Sequence, residues 1–73
     1  MGGDTVRLKL MYQITKAYYE QNDRMRERLL QTGDRYLKHY GPRIDEFWGQ
    51  KKDGEGENHH GKILMRLRDE FRL

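Results

Sequence analysis

Asp45 and Trp48, three residues apart and followed at once by Gly49, are the residues of this chain best suited to chemistry rather than packing. A glycine-rich turn with Gly54 and Gly56 comes next, and Asn58 and Gly61 lead into an apolar-periodic stretch. An acid beside a large aromatic on a loop suits a planar ligand held next to a reacting bond. The carboxylate stabilises a positive centre or activates water, and the indole stacks on a sugar or base. Packing explains the same residues as well: Trp48 as a hydrophobic plug that pins the loop, Asp45 as the cap of a short turn. Lys51 and Lys52 follow closely and are placed to meet phosphate.

Other chemistries are excluded or weakly supported. The chain has no serine and no cysteine, so the usual hydroxyl or thiol nucleophile paired with a histidine base is absent. No phosphate-loop pattern ending in Gly-Lys-Ser/Thr occurs. Glu55, Glu57, His59 and His60 cluster, but adjacent histidines diverge on a helix and no second cluster completes a metal site. The acids of DGEGEN lack the spacing and closing glutamate of a calcium loop. A metal site is not expected, and carboxylate chemistry remains.

The elements that must position these residues are short. With 73 residues a single domain, 1–73, is expected. Only 34% of residues are hydrophobic against 37% charged, which makes the core thin. Chains of this size rarely gain more than ~3–5 kcal/mol from one core, and no disulfide is available to add to it. The net charge of +3 favours an anionic ligand, but the acids interleaved with the bases argue against a nucleic-acid surface built on Arg24, Arg26, Arg28 and the last helix. No apolar run reaches the ~20 residues of a membrane span and no signal-peptide pattern is present, so a cytoplasmic protein without membrane contact is expected.

The periodicity predicts a mainly α fold of three amphipathic helices with a long glycine-rich loop. The first runs from a cap at Asp4 or Thr5 to about Gln21, with Val6, Leu10, Ile14, Ala17 and Tyr18 on one stripe and Leu8 and Met11 widening it. The second, capped by Asn22 or Asp23, runs to about Gln31 with Met25, Leu29 and Leu30 as its apolar face, and Gly33 stops it. Residues 35–40 fit a turn of helix or a short strand, and the reading leans to an extended segment. Gly41-Pro42 marks a boundary. The stretch 50–57 reads as polar and flexible, within a loop at 41–58 that orders on binding. The last helix starts at Asn58 or His59 and ends near Phe71. Ile63, Leu64, Leu67 and Phe71 form its stripe, and Lys62, Arg66, Arg68 and Arg72 dominate the other side.

Taken in order, these residues resemble the C-terminal half of the NADAR (YbiA-like) N-glycosidase family. The match runs through Met11, Tyr19-x-Gln21-Asn22, Thr32-Gly33-Asp34, Asp45-x-x-Trp48-Gly49, Asn58-x-x-Gly61 and Leu64-Met65-x-x-Arg68. The resemblance implies hydrolysis of an N-glycosidic bond between ribose and a base, in ADP-ribosyl-guanine or a riboflavin-pathway ribosylamino-pyrimidine phosphate. It implies Asp45 as the catalytic aspartate, Trp48, Gly49 and Asn58 as residues shaping the pocket, and no metal or cofactor. Three family positions differ: His39 replaces the acid of L-x-E, Tyr18 the lysine of KF, and His60 the leucine of N-x-LG. Family members are about twice this long, so the chain is expected to hold an incomplete active site, completed by an N-terminal half. The alternative is a non-catalytic helical module that homodimerises through exposed stripes.

Overall fold

The computed structural model describes residues 3–39, 46–51 and 53–72. Three helices account for its regular structure: α1 (Gly3–Glu20), α2 (Asp23–Gln31) and α3 (His59–Phe71), each packed on the other two. No strand occurs among the described residues; 35–39 is neither helix nor ladder, and Tyr40 lies outside them.

Local chemistry sets the helix ends. α1 starts at Gly3, so Asp4 and Thr5 lie inside its first turn and do not cap it; the Asp4 carboxylate there meets the positive end of the helix dipole and pairs with Arg7. At the other end Arg26 donates to the carbonyls of Tyr19 and Glu20, satisfying groups that the helix leaves open. Asn22 caps α2, its Oδ1 accepting from the Met25 N–H at 3.2 Å. Gly33 follows at φ 64°, the left-handed conformation expected of a helix stop.

Leu29, Ile63 and Leu67 form the buried centre, with Met11, Tyr12, Tyr19, Leu37, Trp48, Leu64 and Phe71 packed around it. The apolar stripes of α2 and α3 therefore face inward as the periodicity predicts. That of α1 does not. Leu8, Met11, Tyr12, Thr15 and Tyr19 make its inner face, while Val6, Leu10, Ile14 and Tyr18 are half or more exposed. Both sets repeat at spacings of three and four, so periodicity alone leaves two faces to choose between. The inner set is the one whose polar tip finds a partner: the Tyr12 hydroxyl meets the Glu70 carboxylate of α3 at 2.7 Å.

Arg68 also departs from expectation. The periodicity places it on the side of α3 opposite the apolar stripe, yet it is 5% exposed. It follows Leu64 by one turn, so its stem lies along the inner edge of the helix. Its Nη1 donates to the Thr32 hydroxyl at 2.9 Å and to the Arg35 carbonyl at 2.8 Å, tying α3 to the end of α2. Those neutral acceptors offset part of the cost of burying a cation.

Candidate active site

The segment expected to carry the chemistry is fixed through its backbone. The carbonyls of Glu46, Phe47, Trp48 and Gly49 accept from the N–H groups of Glu57, His59, His60 and Asn58 respectively, at 2.6–3.1 Å. A helix begins with unpaired N–H groups, and here the first two of α3 are satisfied by the carbonyls of Phe47 and Trp48. An anion is therefore not needed at those two groups, although helix starts commonly bind one.

Asn58 makes this docking possible. It adopts the left-handed conformation (φ 53°, ψ 39°), and its side chain, fully buried, turns away from α3 towards the 35–39 segment. Oδ1 accepts from the His39 N–H at 2.9 Å, and Nδ2 donates to the Leu37 carbonyl at 2.8 Å and to the Tyr36 hydroxyl at 3.0 Å. The Tyr36 hydroxyl in turn donates to the Gln50 side-chain oxygen at 2.9 Å. Gly61 allows the close approach: a Cβ there would collide with the Leu37 carbonyl and stand 2.5 Å from the Asn58 amide. Met65 Sδ lies 3.4 Å from the Leu37 N–H and closes the same junction.

The described residues of the turn after Gly49 bond to one another. The Lys51 N–H donates to the Glu55 carbonyl, the Gly54 N–H to that of Lys51, and Asp53 accepts from the Glu55 N–H. Gly54 and Gly56 supply the positive φ values that the turn requires, 95° and 114°. A Cβ at Gly56 would press on the Gly49 carbonyl at 2.6 Å.

The residues singled out from sequence are distributed as follows. Trp48 is half-buried against the core and meets Phe47 edge to face, with centroids 4.7 Å apart. Gly49 is buried beneath the turn. The Asn58 amide is fully engaged within the protein. Lys51 is exposed and pairs with Glu46 at 2.7 Å; hydrogen bonding and attraction to that carboxylate raise its pKa. Asp45 and Lys52 lie outside the described residues.

Sequence reasoning missed a groove of about 470 Å³ between α1 and α3. Leu8, Tyr12 and Ile63 give it an apolar floor; Lys9, Gln13, His59, Lys62 and Arg66 line its polar parts. Among the described residues no carboxylate belongs to the lining. Lys9 and Lys62 have no ion-pair partner among the described residues, whereas Arg66 is held by Glu70 at 3.1 Å and stacks over the Tyr12 ring. At one end His59 packs on Phe47, with centroids 4.6 Å apart, so the groove abuts the segment that follows Asp45. The only sequence signal was the pairing of Lys9 with Tyr12 on one helix and Lys62 with Arg66 on another; it becomes a site only when the helices meet.

Two of the three departures from the family pattern touch each other. His39 and His60 stack edge to face with centroids 4.9 Å apart. Burial, and then the neighbouring His39, lower the pKa of His60 below its ordinary 6.5. Its Nδ1 is buried without a hydrogen-bond partner.

Comparison with known proteins places the chain in a family. The model of the NADAR domain matches residues 4–72. The chain belongs to the NADAR domain family. It is 39% identical over 66 residues to a riboflavin biosynthesis protein of Vibrio vulnificus, covering 90% of this chain and 18% of that protein. It is 38% identical over 69 residues to an N-glycosidase of Nostoc punctiforme, covering 94% of this chain and 44% of that protein. The N-glycosidase YbiA of Shigella boydii is 30% identical over 70 residues, covering 96% and 43%. This NADAR chain thus spans less than half the length of the N-glycosidases it matches. No solved structure matches it. Several of the NADAR motifs bond to one another: Thr32 binds Arg68, Leu37 binds Asn58 and Met65, and Trp48-Gly49 docks on Asn58-x-x-Gly61.

Proposed function

We propose that this chain supplies one part of a NADAR N-glycosidase site, in which a phosphate-bearing ribosylated base lies along the α1–α3 groove. The observation that carries the reading is a concave surface with three cations, an apolar floor and no acid among its described lining residues, abutting the Phe47–Gly49 segment. Relatives named N-glycosidase and riboflavin biosynthesis protein support it. Lys9, Lys62 and Arg66 hold the anionic group, Tyr12 and Leu8 receive an apolar or aromatic part, and Asp45 stabilises the oxocarbenium-like centre or activates water. Trp48 and Asn58 act by positioning, one through the core and the other through its buried amide. ADP-ribose attached to guanine and ribosylamino-pyrimidine phosphates both fit this chemistry.

The test is an amide proton–nitrogen NMR titration of the chain with ADP-ribose. Shifts at Lys9, Gln13, His59, Lys62 and Arg66 are expected, with smaller ones at Phe47. Absence of shifts, or shifts confined to Lys51 and its neighbours, overturns the groove as the site. The role of Asp45 is tested in a complete NADAR domain containing this chain, where Asp45→Ala should abolish base release.

A further inference from the structure

The outer face of α1 is the largest unexplained feature of the molecule. Val6, Leu10, Ile14 and Tyr18 follow one another at intervals of four along about 18 Å of helix. They are 58%, 51%, 65% and 50% exposed, on the side away from the core. Scattered exposed hydrophobics are ordinary, but four large ones aligned on one face are not. A helix that is apolar on both faces is normally buried on both. Tyr18 and Tyr19 join the two faces, edge to face at 5.2 Å, with Tyr19 turned to the core and its pKa raised by burial.

From the match of family and the difference in length, we propose that this face is an interaction surface whose occupant is the complementary portion of the NADAR domain. That portion is the more than half of each N-glycosidase relative that the 73 residues do not match. α1 then becomes the central helix of the complete domain, with α2 and α3 on one side and the complementary portion on the other. A second copy of this chain fits less well. The four side chains offer roughly 400 Å² in all, about half of what each partner of a stable interface contributes. A folded layer wrapping α1 covers the flanks as well. The inference rests on family membership and not on the proposed activity.

The experiment mixes the 73-residue chain with the part of the Nostoc punctiforme N-glycosidase that lies outside its matched region. Sedimentation equilibrium and NMR report the outcome. A one-to-one complex is expected, with the amide signals of Val6, Leu10, Ile14 and Tyr18 the most perturbed. Leu10→Asp and Ile14→Asp should each weaken it at least tenfold while leaving the circular dichroism of the free chain unchanged. The milder Leu10→Gln and Ile14→Gln retain helix propensity and should weaken it in the same order. No complex, a complex indifferent to these substitutions, or a homodimer whose interface maps to the same four residues each overturns the proposal. Loss of ADP-ribose binding in the groove would leave it standing.

Discussion

The inner and outer faces of α1 differ little in composition and completely in role. Leu8, Met11, Tyr12, Thr15 and Tyr19 look inward to a small core; Val6, Leu10, Ile14 and Tyr18 look away from it. The outer set is the more aliphatic and by pattern alone the better candidate for burial. What it lacks within these residues is a surface to meet. Apolar periodicity states that a face is suited to burial, and the rest of the fold decides what buries it.

The sharpest way to break this contrast is to truncate one residue from each side. Leu67→Ala removes a side chain with no exposed surface, against which the inner face of α1 packs. It should cost ~2–5 kcal/mol, most or all of the stability of so small a core. Ile14→Ala on the outer face should change stability by less than ~1 kcal/mol. Urea denaturation followed by circular dichroism measures both; equal losses would mean that the outer face is already covered.

Next in size are the changes at the junction that carries the Trp48-Gly49 segment. Asn58→Ala strands the His39 N–H and the Leu37 carbonyl and loses an amide suited to the left-handed conformation. The expected cost is ~2–4 kcal/mol, with amide exchange accelerated across residues 36–39 and 46–50. Gly61→Ala should act in the same direction by pushing against the Leu37 carbonyl. Protection retained at these amides would show that the docking does not depend on the two residues.

A smaller effect should appear on acidification. The folded-state pKa of His60 lies below the ordinary 6.5, so the unfolded chain takes up the proton first. Stability is then full above about pH 6.5 and falls as the pH drops from there towards the lower folded value. His60→Leu should flatten that part of the profile in a urea–pH series. The smallest expected effect on the fold is in the groove. Lys9→Ala and Lys62→Ala should leave thermal unfolding within ~0.5 kcal/mol of the parent, yet weaken pyrophosphate binding several-fold by calorimetry.

Much of this was legible in the sequence because it is local. Asn22 and Gly33 delimit α2 through bonds and backbone angles that involve only near neighbours. The inward stripe of α3 follows from Ile63, Leu64 and Leu67 having one apolar side to bury. The order of the motifs was enough to identify the NADAR family. Other features were hidden because they join distant residues. Arg68 reads as a surface cation until Thr32 and Arg35 appear beside it. Asn58 reads as a pocket residue or a cap until its amide is seen bonded to Tyr36, Leu37 and His39.

The sequence by itself determined the mainly α class, the three helices, the Asn22 cap of α2, the glycine turn and the family. Each depends on spacing and on conformational limits of individual residues, which act within a few positions along the chain. Tertiary structure decided which face of α1 turns inward, that α3 begins against the backbone carbonyls of Phe47 and Trp48, and that Lys9 and Lys62 share a groove with no acid among its described lining residues. Backbone carbonyls are the same in every residue, and a cation's partners are set by distances across the fold. Neither is written in the identity of any one side chain.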